Sequence, residues 1–143
     1  MRLAFSLYGQ RAGLIKREGG QITLTYDPEY LSKNTATPLS LSMPLQSEPY
    51  PSRKVEAYLR GLLPDNTEVR RRWADAFGLR DRDTLGLIAV IGLDCAGGAL
   101  FAPDNKLDEA LIRGGSVIPL SEKEIGDHLR RLRVDEHAWH END

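Results

Sequence analysis

Two histidines near the C-terminus have a spacing that could hold a metal ion. His137 and His140 lie three residues apart, so a helix would place both imidazoles on one face, with Glu136 and Glu141 close by. A zinc site needs three or four well-placed ligands and a second shell of hydrogen bonds that orients them. A polar terminal segment accounts for the same four residues, so the sequence predicts no metal site.

A glycine-rich turn is the second candidate for chemistry, with Gly92, Gly97 and Gly98 around Cys95. Phosphoryl transfer needs a glycine loop with a lysine, and an Asp/Asn pair that holds Mg²⁺. No Lys-Ser/Thr pair follows this turn, and Cys95 has no neighbouring base that would activate it. We expect a buried, inert cysteine and a turn that needs positive φ at Gly92 or Gly97. The sequence thus predicts no catalytic residue, no cofactor and no ATP binding by this chain.

Three consecutive arginines, Arg70, Arg71 and Arg72, precede Trp73 in a predicted helix. Acidic residues interleave with the arginines of this region, and mixed charges are typical of a solvated helix face. Arginine is also enriched at protein interfaces, so a protein partner is the functional alternative. DNA contact lacks a recognition-helix pattern. Trp73 shares a stripe at four-residue spacing with Val69 and Phe77, which predicts an inward, structural role for Trp73.

Composition limits the class of protein. The chain has 143 residues, 41% hydrophobic and 28% charged, which is typical of a single soluble domain. Its formal net charge of −2 gives no bulk attraction to nucleic acid or to an anionic membrane. No run approaches the roughly 20 apolar residues that span a bilayer. One cysteine excludes an internal disulfide, and we expect a reducing, cytoplasmic location.

The first half of the chain carries the alternation of apolar and polar residues that half-buried strands show. The pattern predicts a meander over residues 3–7, 12–16 and 22–26, with tight reversals between the strands. Residues 99–101 fit a further short strand, and the apolar residues 117–120 an edge segment. The predicted fold class is α+β, with a small antiparallel sheet from the N-terminal half packed against several short helices.

A fourth strand of this sheet is predicted at residues 39–43. Leu39, Leu41 and Met43 alternate there with two serines, so the three apolar side chains are expected to be buried. Leu41→Ala would then cost about 2–5 kcal/mol of stability, from lost burial and the cavity left behind. Leu41 is therefore a predicted structural residue.

Capping residues predict where the helices begin. Candidate N-cap residues that precede or open apolar-periodic segments are Asp27, Ser52, Asn66, either Asp83 or Thr84, and Ser121. Gly78 is expected just beyond the end of the helix that carries the three arginines. The segment after Asp83 is apolar on nearly all sides and is expected to be buried. Ile125, Leu129 and Leu132 would form the buried side of the last helix.

Two blocks of sequence resemble one known family. PLSLSMPL followed by LLPDN is similar to the N-terminal region of HipA-type proteins, the serine/threonine kinase toxins of bacterial type II toxin–antitoxin systems. IGLDCAGGA, which begins at Ile91, is similar to that family's IGxDCxGA stretch. With the opening hairpin, the resemblance covers residues 3–103, and both blocks occur in the family's order.

The resemblance implies a HipA-like N-terminal domain at residues 1–134, with a polar tail at 135–143 that marks the boundary to a kinase core. Such a domain is non-catalytic, packs on the kinase core and contacts a helix-turn-helix antitoxin, reaching DNA only through that complex. The family's ATP, Mg²⁺ and catalytic positions have no matching residues here. The alternative is a free-standing antitoxin that inhibits a separately encoded HipA-like kinase. On either interpretation the arginines at 70–72 are the predicted partner contact.

Overall fold

A computed structural model gives the fold and describes residues 1–95, 98–112 and 117–134. The chain divides into two compact units, Met1–Arg113 and Gly114–Asp143. The fold class is α+β, as predicted, with one four-stranded antiparallel sheet and six α-helices in the described ranges. Gly97 and the histidines at 137 and 140 lie outside the described residues.

Four antiparallel strands form the sheet in the order β3-β2-β1-β4. They are Arg2–Leu7 (β1), Gln10–Glu18 (β2), Gln21–Tyr26 (β3) and Ala99–Pro103 (β4). Tight turns join the first three strands, as predicted. Gly19 and Gly20 have φ values of 57° and 82°, and Gly9 has a φ of 77°. These left-handed values match the twist of hairpin strands, so local turn chemistry sets the meander.

The prediction of a fourth strand at residues 39–43 is wrong. The fourth strand of the sheet is β4, which pairs with β1. Phe101 pairs with Phe5 there, which confirms the predicted strand around residues 99–101. The outer edge of β3 is bridged by Tyr50, whose N–H donates to the Leu24 carbonyl at 2.8 Å. The 39–43 segment closes on itself instead, because the Met43 N–H donates to the Ser40 carbonyl at 2.9 Å.

Six helices surround the sheet or follow it. Their bounds are Pro28–Leu31 (α1), Ser52–Gly61 (α2), Thr67–Ala76 (α3), Thr84–Ile91 (α4), Leu107–Ile112 (α5) and Glu122–Val134 (α6). The predicted N-cap Asn66 is confirmed, because its side chain accepts from the Glu68 N–H at 2.8 Å. Of the two candidates for α4, Asp83 is the cap, and its carboxylate accepts from the Gly86 N–H at 2.9 Å. Gly78, just past α3, has the left-handed φ of 63° that ends helices.

Two other predicted caps serve tertiary contacts instead. The Ser52 hydroxyl accepts from the Ile22 N–H at 2.7 Å and donates to Glu56 at 2.8 Å, so it ties α2 to β3. Pro51 takes the N-cap position of α2. Asp27 does precede α1, but its carboxylate accepts from the Arg11 side chain at 3.1 Å rather than from the helix. Both side chains join distant segments, which local sequence patterns do not reveal.

The main core lies between the sheet and helices α2 and α4. Apolar side chains of β1, β2, β3 and β4 pack there against Val55 and Leu59 of α2. Leu85, Leu87 and Ile88 of α4 are fully buried, which confirms the prediction for that helix. A smaller cluster on alternate positions of β1 and β4, Ala4 and Ala102, packs with Leu107 of α5.

Gly92 is required by packing rather than by its backbone conformation. Its φ is −67°, so Gly92 does not supply the positive φ that the turn is predicted to need; Gly97, the other candidate, lies outside the described residues. A Cβ atom at Gly92 would lie 2.7 Å from both the Cβ and the carbonyl oxygen of Phe101. The turn after α4 therefore crosses β4 at a distance that only glycine allows.

Two arginines of β2 fix the sheet to its surroundings. Arg11 donates to Asp27 at 3.1 Å and to Asp104, just beyond β4, at 2.6 Å. Arg17 pairs with Asp83, the N-cap of α4, at 2.5 Å. The hydrogen bond from Arg11 lowers the pKa of the Asp104 carboxyl below its usual value. These contacts join β2 to the start of α1, the end of β4 and the start of α4.

The unit Gly114–Asp143 contributes α6. The predicted capping box is confirmed, because the Ser121 N–H donates to the Glu124 carboxylate at 2.7 Å and the Glu124 N–H donates to the Ser121 hydroxyl at 3.3 Å. The prediction that the apolar side of α6 is buried is wrong, because Ile125 and Leu129 are exposed and Leu132 is half-buried. No strand forms at residues 117–120, which are all exposed.

Candidate interaction surfaces

The turn Leu39–Met43, called here the Leu41 turn, presents an apolar side chain to solvent. Leu39 and Met43 point inward and are buried, as predicted. Leu41, predicted to be buried with them, is 97% exposed. The period-2 interpretation fails because the chain reverses at Leu41 and Ser42 instead of continuing as a strand. The buried pair anchors the turn and Leu41 forms its tip.

Tyrosine hydroxyl groups hold the Leu41 turn at both ends. The Tyr26 hydroxyl accepts from the Leu39 N–H at 2.8 Å and donates to the Met43 carbonyl at 2.7 Å. The Tyr50 hydroxyl donates to the Pro44 carbonyl at 2.5 Å. Burial raises the pKa of Tyr26 to about 12, so this hydroxyl stays protonated and can donate. The turn is therefore a fixed feature of the surface.

These tyrosines are themselves fixed by an aromatic cluster. Tyr26 stacks on Tyr30 and meets Tyr50 and Phe5 edge-on, with ring centroids 5.8–6.4 Å apart. Tyr30 in turn accepts from the Thr37 N–H at 3.1 Å. Local sequence patterns do not predict this role of the tyrosines. The usable signal was their position at the end of β3 and at the close of the proline-bounded segment.

A cleft of about 520 Å³ separates the Leu41 turn from α2. Its walls combine apolar surface from Ala57 and Tyr58 with the basic side chains Arg53 and Lys54. Lys54 also lies over the Tyr50 ring, with its Nζ atom 5.5 Å from the centroid. An exposed leucine beside an open cleft with basic and apolar walls is typical of a protein-docking surface.

The predicted arginine face lies on α3. Arg71 and Arg72 are exposed, and Glu68 lies 3.3 Å and 4.0 Å from their respective guanidinium groups. Arg70 is half-buried and lines a separate cavity that α2, α3 and the segment before α4 border. Trp73 is partly buried against the core, in keeping with its predicted structural role. Phe77, predicted on the same stripe, lies just beyond the end of α3 and is 49% exposed.

Groups that could support metal or nucleophile chemistry do not assemble in the part of the chain that the structure describes. No cluster of three His, Cys, Asp or Glu side chains occurs within it. Cys95 is half-buried rather than fully buried, and it forms no disulfide. Within the same ranges no helix is both long and apolar enough to cross a bilayer.

Known proteins share this sequence pattern and fold. A chain in the complex of HipA, HipB and operator DNA from Shewanella oneidensis MR-1 superposes with a TM-score of 0.66 at 22% identity, over 92% of this chain and 29% of that one. The protein named "Putative kinase Y4mE" of Sinorhizobium fredii (strain NBRC 101917 / NGR234) is 30% identical over 87 residues, which is 61% of this chain and 20% of that protein. This chain thus spans less than a third of either relative.

The family match covers most of the sheet, the Leu41 turn and helices α1 to α4. Residues 3–101 match the HipA N-terminal domain family. The range includes both sequence blocks on which the resemblance rests, and it ends inside β4. The chain belongs to the HipA N-terminal domain family.

Proposed function

We propose that this chain is the non-catalytic N-terminal domain of a HipA-like serine/threonine kinase system and that it acts by contact. The main observation that supports this proposal is the structure of the Leu41 turn. Tyr26 and Tyr50 hold the turn rigidly, yet its tip exposes a leucine that no described part of the chain covers. A rigid apolar tip loses little conformational entropy when a partner covers it, which favours binding.

The proposed occupant of the Leu41 turn and its cleft is the HipA-like kinase core. Both relatives extend far beyond the matched region, so each has a remainder against which such a domain can pack. The basic residues of the cleft, Arg53 and Lys54, would pair with carboxylates at the rim of that contact. Catalysis, ATP binding and Mg²⁺ binding belong to the kinase core in this proposal.

We assign Arg71 and Arg72, the exposed residues of the arginine face, to the helix-turn-helix antitoxin, with DNA reached only through that protein. The Shewanella structure contains HipB and operator DNA, which supports a partner of this kind for a HipA-like domain. Arg71 and Arg72 project from α3, and Glu68, which lies within 4.0 Å of both guanidinium groups, is on the same helix. A cytoplasmic location, predicted from the single cysteine, is part of the same proposal.

A free-standing antitoxin remains the second candidate function. The observation that favours it is the core of the unit Met1–Arg113, which is built from its own strands and helices and needs no further chain to bury it. A domain of that kind can fold and bind as a separate protein. It would dock through the Leu41 turn in the same way.

The experiment is a calorimetric titration of the chain into a HipA-like kinase core that lacks its own N-terminal domain, and separately into the antitoxin. Arg71→Glu should weaken binding to the antitoxin and leave binding to the kinase core unchanged. Circular dichroism checks that the variant is folded. Full-strength antitoxin binding by Arg71→Glu and Arg72→Glu would remove α3 from the interface, and absence of kinase binding by the wild type would overturn the main proposal.

A further inference from the structure

We propose that a cavity bordered by α2, α3 and the segment before α4 binds a phosphate monoester. The cavity has a volume of about 410 Å³ and lies apart from the Leu41 turn. We call it the arginine cavity, and the residues that line it are Arg60, Thr67, Arg70, Asp81, Arg82 and Thr84. Neither the family match nor either relative's name assigns a ligand to it.

Charge is the first argument. Three arginines, Arg60, Arg70 and Arg82, line this cavity together with one acidic residue, Asp81. Elsewhere in the first unit the arginines Arg11 and Arg17 have carboxylates within 3.1 Å. In the described part of the chain no such ion pair involves the three arginines of the cavity. Like charges brought to one cavity repel each other, and a bound anion removes that cost.

The donor set is the second argument. Each guanidinium offers a planar fork of N–H donors that fits two oxygens of a phosphate. Thr67 and Thr84 add hydroxyl donors from the first residues of α3 and α4. Three positive charges and one negative charge leave an excess of two, which matches a phosphate dianion. Because the arginines come from three separate segments, the native fold is needed to assemble them.

The third argument is the volume of the cavity, which limits the class of ligand that fits. About 410 Å³ is many times the roughly 30 Å³ that one water molecule occupies in the liquid, so there is room for a phosphate and part of the group that carries it. The chemistry shared by free phosphate, a phosphorylated amino acid and a mononucleotide is one dianionic phosphoryl group. We therefore assign the site to that group.

The test uses the full chain and three probes: sodium phosphate, O-phosphoserine and AMP, each against sodium chloride at the same ionic strength. The readout is the saturable change of the arginine Nε–Hε signals in two-dimensional NMR spectra, which gives a Kd without any partner protein. Serine and adenosine serve as the unphosphorylated controls and should not bind. Tighter binding of O-phosphoserine or AMP than of phosphate would identify the source of the phosphoryl group.

Arg60→Gln and Arg82→Gln should each raise the Kd about tenfold, the loss expected for a charge-assisted hydrogen bond. Both residues are exposed, so these variants should fold normally. Arg71→Gln is the matched control, because Arg71 lies next to Arg70 in α3 but does not line the cavity. Absence of saturable binding by all three probes, or an equal loss in Arg71→Gln, would overturn the proposal.

Discussion

Leu41→Ala should separate folding from binding. Leu41 is 97% exposed, so removing its side chain leaves no cavity and uncovers no core. We expect the free energy of unfolding to change by less than about 0.5 kcal/mol, as is usual for surface substitutions. Met43→Ala, two residues away but fully buried, should cost about 2–5 kcal/mol. Urea unfolding of both variants measures this contrast.

For binding to the kinase core, in contrast to folding, we expect the Leu41 side chain to be important. Full burial of a leucine side chain is worth about 1.5–3 kcal/mol, so its loss from a kinase contact should raise the Kd about 10- to 150-fold. Calorimetric titration into the kinase core measures this change. Ile112→Ala is the matched control, because Ile112 is another aliphatic side chain, 83% exposed, on a different surface of the first unit. Equal binding by wild type and Leu41→Ala would refute the docking role of the turn.

Three further predictions follow from the fold. Gly92→Ala should destabilise the chain by about 1–3 kcal/mol through overpacking on Phe101, whereas Gly61→Ala, with open space around its Cβ position, should be neutral or stabilising in urea unfolding. Tyr26→Phe leaves the Leu39 N–H unpaired and should cost about 1–3 kcal/mol while speeding exchange of that amide; unchanged exchange would contradict the anchoring role. Asp104 has a lowered pKa in the fold, so its contribution should be present above the unfolded value of about 4 and be lost as pH falls through the folded pKa. Urea unfolding between pH 7 and 2 should accordingly show a smaller acid loss for Asp104→Asn.

Features set by nearby residues could be read from the sequence. The meander, the buried α4 and the caps at Asn66 and Asp83 depend on turn chemistry and periodicity within a few positions. The family could be identified for the same reason, since its two blocks are short and contiguous. Such signals need no knowledge of which segments meet in space.

Features that depend on contacts between segments far apart in the sequence could not be predicted. Alternation at residues 39–43 predicts a strand, but Tyr50 bridges the edge of β3 and the Tyr26 hydroxyl bonds both ends of the segment, which leaves it a turn. Gly92 is required by its approach to Phe101, which belongs to another element. The arginine cavity also assembles charges from separate segments. Pairings of this kind are tertiary, and single-sequence patterns do not encode them.

The strength of the kinase contact separates the two candidate functions. A domain joined to its kinase works at an effective concentration in the millimolar range, so a contact built on one buried leucine and a few rim charges is sufficient. A separate antitoxin does not have this high effective concentration. It must bind its kinase far more tightly, through further buried side chains besides Leu41. We therefore expect the chain to bind an isolated kinase core with a Kd of about 10⁻⁴ M if it serves as a joined domain, and of about 10⁻⁷ M or tighter if it acts alone. Leu41→Ala should weaken either complex by the same factor, because the turn is fixed by Tyr26 and Tyr50 in both cases.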